Sequence, residues 1–485
     1  MRFEILSHAC MLVSTDEASV IIDPWLIGSA YWRSWWNYPK AVYDIEKLQK
    51  VDAVIISHIH WDHWHGATLK KFFLGKKFII PDEPGIRSEQ DLRSIGISDI
   101  KRVRHGETFR VNDLNIRLYQ FGLYLNDSAV VVSNDKVKIM NANDAKISGS
   151  ALKSLLSKEG KIDFALRSHS TANSRACYKL RGSKEVFDDN EHYLRSFKIF
   201  MDAVQPKFAV PFASNHCHLH PETYHFNKII SNPFILEEYL DGHSKAWSFE
   251  VMLPGSSWEE SEGFSHLHSK DNFSDLPIKL QEYQNDVLGA LEKQNVREER
   301  VSINDQMFSR FIDMLPNSKS VPKKYHRGFS IRLNFPESAS EVYCLKIMRG
   351  KYQIIKMESD LNVSGPEISM PALIFRDAIV KNMFHHAAIS KRCEFIGDEK
   401  HDLILLSFFF GALERTELVG RNGLDIKYLL RSARVYTNRV PEILVYFKAF
   451  ILLKFFRYTI YDVEELILEG KWLNEKRNRA IFQER

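Results

Sequence analysis

Apolar and polar positions alternate in short bursts along the first half of the chain. Residues 2–7 and 18–23 read as paired strands, joined by a polar turn at 14–17. Residues 52–57 form an apolar run of the length that becomes a buried strand. Further strand patterns fall at 77–81, 100–103, 108–111, 114–121, 128–133, 136–140, 162–166 and 207–212. Helical patterns fall at 67–73, 90–95 and 188–205. Short strands interleaved with a few helices predict an α/β protein built in layers. Pro254 and Gly255 close this region, which predicts one domain over 1–255. The polar stretch 256–275, rich in Ser and Glu, reads as a linker. Helical patterns at 280–293, 303–315 and 371–383, with strand patterns at 328–334, 341–348 and 351–357, predict an α+β accessory domain over 276–485 that covers the site.

The C-terminal runs 403–410 and 443–456 are strongly apolar, but Lys448 and Lys454 interrupt the second. Neither reaches the roughly 18 uncharged residues of a membrane span, so both are expected as buried helices without a transmembrane segment. A basic aromatic face of Lys448, Lys454, Arg457 and Tyr458 is a weaker candidate for contact with a membrane or partner. The 485 residues are 44% hydrophobic, enough for a sizeable core. The net charge of +4 is interspersed and gives no reason to expect a nucleic-acid partner. Five scattered cysteines, with no metal-ligand spacing, read as reduced thiols. The first residues carry no signal-like apolar core. A cytoplasmic location is expected.

Chemistry concentrates in His58-Ile59-His60-Trp61-Asp62-His63, directly after the 52–57 strand. Three imidazoles and a carboxylate in six positions would be poorly placed in a core, where their nitrogens need partners. Alternate residues leaving a strand point the same way, so His58 and His60 can grip one divalent ion. Asp62 and His63, past the bend, can face a second ion or hold a water. Imidazole with carboxylate suits zinc, iron or manganese.

This H-x-H-x-D-H pattern resembles the metallo-β-lactamase superfamily, whose fold is an αββα sandwich with the metal site at one sheet edge. His8-Ala9-Cys10, Asp23-Pro24-Trp25-Leu26 and Trp32-Arg33-Ser34-Trp35-Trp36 resemble the opening of CMP-N-acetylneuraminate and UDP-N-acetylmuramate hydroxylases. Asn126-Asp127-Ser128-Ala129, Asn141-Ala142-Asn143-Asp144-Ala145, Val210-Pro211-Phe212-Ala213-Ser214 and His220-Pro221-Glu222 are similar to the second of these. The resemblance implies that His8 lies at the active-site mouth and that Asp144 bridges two ions. It implies a final ligand after the 207–212 strand, His220 first and His216 second. The superfamily's usual additional His before Asp144 is missing between 118 and 127, where Asp127 is the nearest carboxylate.

Other candidates carry a plain alternative. Asp23 reads as a carboxylate orienting a ligating imidazole, or as a turn residue. For Asp144 the alternative to the bridging role is an Asx turn, and Asp127 either substitutes for the missing ligand or caps a turn before the next strand. His169, on the loop after the 162–166 strand, is a candidate for catalysis or substrate contact. Trp32, Trp35 and Trp36 lie among five aromatics in residues 30–39, and either line a substrate pocket or cap the core.

Two enzyme classes remain, and the intact His/Asp set argues against a non-catalytic relative. The resemblance implies an iron-dependent hydroxylase of an N-acyl sugar nucleotide. The related hydroxylases carry a Rieske cluster, which needs a Cys-x-His and a Cys-x-x-His pair together. The sequence does not hold that set, so electrons are expected from an external ferredoxin or Rieske donor. Lys70, Lys71, Lys76 and Lys77 could attract such an acidic donor. The alternative is a zinc or manganese hydrolase of an ester, amide or phosphodiester.

Overall fold

The computed structural model describes residues 1–122, 126–172, 174–183, 190–315, 330–338, 341–348, 351–358, 364–419, 426–455 and 467. The expected first residues of the 188–205 helix and the 328–334 strand lie outside this set, as do Arg457, Tyr458 and the side chain of Lys454.

Two sheets form the first half of the chain. The first has eight strands in the order Gly263–Ser265, Ser257–Glu259, Arg2–Ile5, Met11–Ser14, Ser19–Ile22, Ala53–Ile55, Lys77–Pro81, Ile100–Val103. The second has seven, in the order Ser248–Phe249, Phe208–Pro211, Phe164–Arg167, Lys138–Asn143, Asp127–Ser133, Leu114–Phe121, Thr108–Val111. Strand periodicity decides which side chains meet between them. Leu114, Ile116 and Leu118 alternate inward and join Val130, Val132, Ile139 and Phe164 against Phe3, Ile5, Val13 and Ile55 of the first sheet. The intervening Val131, Met140 and Ala165 face outward onto the helices Gly149–Glu159 and Asn190–Val204. Leu12, Ile21 and Val54 likewise face Leu69 and Leu92 of the helices Gly66–Phe72 and Arg87–Ser94. The result is an αββα sandwich.

The stretch expected as a linker behaves differently. Ser257–Glu259 pairs antiparallel with Arg2–Ile5, and Gly263–Ser265 pairs with it in turn. Trp258 and Phe264 supply the apolar anchors that its polar composition obscures. The expected 280–293 helix is two helices, Leu276–Asp286 and Leu288–Glu299, which meet at Val287.

A third sheet runs Tyr178–Leu180, Glu394–Gly397, Glu367–Ser369, Ser330–Asn334, Glu341–Met348, Lys351–Glu358. Its first strand comes from the sandwich half of the chain and pairs parallel with Glu394–Gly397. The two halves are also joined by ions. Arg392, with a fully buried side chain, donates to Glu298 at 2.6 and 2.7 Å and to Glu222 at 2.8 and 3.0 Å. Helix Val440–Phe455 buries Val445 and Leu452 against the Gly149–Glu159 helix. Its Ile443, Leu444, Phe447 and Phe450 are exposed, so this run is half buried rather than internal as expected. Among the described residues, no helix is long and apolar enough to cross a membrane.

Replacing Arg392 by Ala strands Glu298, whose side chain is 8% exposed, without a counter-charge. The expected loss is about 3–5 kcal/mol of stability, read as a lower midpoint in urea unfolding. A double variant that also carries Glu298→Gln should recover part of it; an unchanged midpoint in Arg392→Ala would contradict the assignment.

Candidate active site

The site grows from strand ends. The parallel neighbours Ser19–Ile22 and Ala53–Ile55 end at Asp23 and at the segment leading to His58. In the second sheet, parallel Lys138–Asn143 and Phe164–Arg167 end at Asp144 and the Ser168-His169 segment. Asp127 begins the strand antiparallel to Lys138–Asn143, which brings it to the same edge.

Asp23 is fully buried, in a left-handed backbone conformation at φ 49°. Its carboxylate accepts from Ser57 N (2.7 Å), Ser57 Oγ (2.6 Å) and His63 Nδ1 (2.8 Å). Because Ser57 Oγ–H is committed to Asp23, its oxygen is left to accept from His58 Nδ1 at 2.9 Å. Both imidazoles therefore donate through Nδ1 and turn Nε2 toward the other donors. Asp144 is set by a local turn. Asn143, at φ 41°, accepts through its side chain from Asp144 N at 2.7 Å and from Ala145 N at 3.1 Å.

These devices converge on one point. His58 Nε2 lies 2.7 Å from His60 Nδ1, 3.8 Å from Asp127 Oδ1 and 3.7 Å from Asp144 Oδ2. His63 Nε2 lies 3.6 Å from Asp144 Oδ1 and 3.5 Å from Asp62 Oδ2. His8 Nε2 adds a bond of 3.1 Å to Asp62. Three overlapping donor sets result: His58, His60 and Asp127; His58, His63 and Asp144; and His8, Asp62 and His63.

The chemistry of these donors fits metal ions. His63 Nε2, Asp127 Oδ1 and Asp144 Oδ1 are buried and have no hydrogen-bond partner. Buried donors and acceptors are costly unless something pairs them. Burial and the neighbouring Asp144 push the Asp127 carboxyl well above its usual range. Burial lowers the pKa of His63, but Asp144, Asp62 and Asp23 drive it up to about 10. Negative charge is in surplus here, which is the environment a pair of dications would neutralise.

The remaining sequence candidates are placed as follows. His216 is buried, stacks on Trp35 at 4.0 Å between ring centroids and lies 5.2 Å from His8, with both ring nitrogens unpartnered. His220 instead clusters with Glu222 and Glu298, beside Arg392. His169 is fully buried, with both ring nitrogens unpartnered, and burial together with His8 keeps its pKa down to about 3. Trp35 lines the cavity over the donors, whereas Trp32 donates to Asp377 at 3.1 Å and Trp36 packs near Tyr283.

That cavity has a volume of about 400 Å³ and is lined by His60, Asp62, Asp127 and Asp144 on one side and His385 and Glu414 on another. Several of its residues carry no sequence signal of their own. Tyr31 donates to Asp62 at 2.5 Å and accepts from Trp61 N at 3.1 Å. Tyr31, Trp32 and Arg33 are consecutive left-handed residues, φ 51–67°. Each such residue costs about 1–3 kcal/mol and persists only where surrounding contacts hold it. His385 and His386, on the short helix Phe384–Ile389, lie within 5.1 and 6.1 Å of the His60 ring. A His-His pair on a buried accessory helix had nothing near it in the sequence to mark it.

Comparisons with known proteins bear on the family of the first part of the chain. Residues 2–122 match the family model of the β-lactamase superfamily domain. A Mycolicibacterium smegmatis protein named for a Rieske 2Fe-2S iron–sulfur centre is 25% identical over 280 residues, 53% of each chain. Cytidine monophosphate-N-acetylneuraminic acid hydroxylase of Mus musculus is 30% identical over 151 residues, 30% of this chain and 26% of that one. The chain thus spans about half or less of the length of these relatives. Among solved structures, CmlA, a diiron β-hydroxylase from Streptomyces venezuelae, is similar at 16% identity and a TM-score of 0.39, over 55% of this chain and 54% of that one. An isothiocyanate hydrolase from Delia radicum gut bacteria is similar at 18% identity and a TM-score of 0.39, over 53% of this chain and 99% of that one. Residues 2–122 thus carry a match to the β-lactamase superfamily domain, within the sandwich whose edge gathers the cluster of histidines and aspartates.

Proposed function

We propose that the chain is an iron-dependent hydroxylase of an N-acyl sugar nucleotide that draws electrons from a separate ferredoxin or Rieske protein. The observation that carries a metal enzyme is the unpaired, buried donor cluster facing the cavity. The hydroxylase reading is supported by the 30% identity with the mouse enzyme and by the aromatic opening that resembles it.

His58, His60 and Asp127 would hold one ion, and Asp62 and His63 the other, with Asp144 between them. His216 is the nearer of the two later histidines to the second group, through His8. Iron bound there supplies the redox chemistry by which dioxygen oxidises a C–H bond. The protein's own contribution is geometric. Asp23 fixes two imidazoles with Nε2 outward. Tyr31 and His8 clamp Asp62 from two sides. Trp35 supplies an apolar wall, and the accessory residues His385 and Glu414 close part of the cavity against water.

A second reading is favoured by the donor set itself. Imidazole and carboxylate suit zinc or manganese as well as iron. In that case bound water with a pKa near 7 would attack an ester, amide or phosphodiester.

Asp23→Asn keeps the shape of the side chain but weakens the acceptor that orients His63 and Ser57. Metal affinity, measured by chelator competition, should fall about 10–100-fold; unchanged affinity would remove Asp23 from this role. The reaction class is tested by turnover of CMP-N-acetylneuraminate and UDP-N-acetylmuramate by the iron-loaded protein. With a small iron–sulfur donor, mass spectrometry should show addition of one oxygen atom in air and none without dioxygen. Equal hydrolysis under both conditions by the zinc form, with no donor, would leave the hydrolase instead.

A further inference from the structure

Each ligating imidazole has an outer nitrogen that needs a partner. Within the sandwich this need is met for two of the three histidines of the motif. His63 donates to Asp23, and His58 donates to Ser57. His60 differs. Its Nδ1 is the atom turned to His58 Nε2, so when Nδ1 binds an ion the proton sits on Nε2. That Nε2 is buried and has no partner.

The accessory domain offers the complementary atom. Helix Phe384–Ile389 carries His385, whose Nδ1 lies 3.1 Å from Glu417 Oε1. Glu417, with a fully buried side chain, also accepts from the His385 backbone N–H at 3.2 Å. A carboxylate in this position keeps the proton on Nδ1 and leaves His385 Nε2 as a bare acceptor. That nitrogen too is buried and without a partner. The His60 and His385 rings lie 5.1 Å apart, both on the wall of the same cavity. These are two unpartnered nitrogens on adjacent rings, one a donor and one an acceptor, which a direct or single-water hydrogen bond would pair.

The adjacent histidine addresses the same loop. His386 Nε2 donates to the carbonyl of Ile59, the residue between His58 and His60, at 3.2 Å. Its ring packs on Trp61 at 4.9 Å. Two consecutive residues of one accessory helix thus reach the backbone and, across a short gap, the ring of the metal motif.

We infer that His385, held by Glu417, is a positioning residue that receives His60 Nε2–H, and that His386 pins the Ile59 carbonyl, so that the accessory domain forms part of the metal centre. The inference rests on the metal-binding reading above.

The test compares two replacements of similar size. His385→Met keeps packing and removes the acceptor; His385→Gln keeps an acceptor oxygen. Cobalt(II) is the probe, with affinity measured by chelator competition and ligand geometry by visible absorption. His385→Met should bind about 10–100-fold more weakly with shifted absorption bands, while His385→Gln stays close to the unsubstituted protein. Should His385→Met fail to fold, Glu417→Gln carries the test, since it keeps shape but loses the charge that fixes Nδ1–H; its affinity should also fall. Unchanged affinity and spectrum in His385→Met, equal losses in the Met and Gln variants, or unchanged affinity in Glu417→Gln would overturn the inference and leave the metal reading intact. An unsubstituted protein that binds no cobalt would overturn both.

Discussion

One buried carboxylate sets the geometry on which the site depends. Asp23 ends a strand in a left-handed conformation and takes three hydrogen bonds, two from Ser57 and one from His63. A fully buried carboxylate is expensive unless its oxygens are satisfied. Here the satisfaction is also the instruction. The bond from His63 fixes that ring directly, and the commitment of the Ser57 hydroxyl fixes His58 through the next bond. The orientation of two imidazoles follows from one side chain at the end of the neighbouring strand.

What Asp23 orients, the rest of the fold surrounds with negative charge and closes over. Asp62, Asp127 and Asp144 come from three separate segments and meet only because their strands end at one edge. The loop that carries Tyr31 accepts three left-handed residues in succession, and Tyr31 and Trp32 are tied down by Asp62 and Asp377. Asp377 and the carboxylates' other neighbours, His385 and His386, belong to the later half of the chain. That half is joined to the sandwich by a shared sheet and by Arg392, so the cavity is a product of both halves rather than of either alone.

Much of the sandwich was legible in the sequence because strand periodicity is local. The run before His58 and the alternation at Leu114, Ile116 and Leu118 mark strands by spacing alone, but not their partners: the expected pairing of 2–7 with 18–23 is replaced by Met11–Ser14, which lies between them. The meeting of His58, His63 and Asp144 was expected from the resemblance to the superfamily, since nothing local links residues some eighty positions apart; the shared strand edge brings them together. The less legible parts depend on distant contacts. Ser257–Glu259 reads as polar linker, and only its pairing with Arg2–Ile5 makes it a strand. His216 and His220 are four positions apart, the first in the strand His216–His218 and the second just past it, and their separation, one by His8 and the other by Arg392, is decided by elements that pack around them. His385 has no local pattern at all, because its partners lie some three hundred positions away in the chain or one helix further on.

The central claim is that this edge cluster holds two ions with Asp144 between them. Crystals grown with iron and measured on both sides of its absorption edge test it most directly. The account predicts two anomalous peaks about 4 Å apart, one against His58 Nε2, His60 Nδ1 and Asp127, the other against His63 Nε2 and Asp62, with Asp144 touching both. A peak held by His220, Glu222 and Glu298 instead, or none at the strand edge, would contradict it.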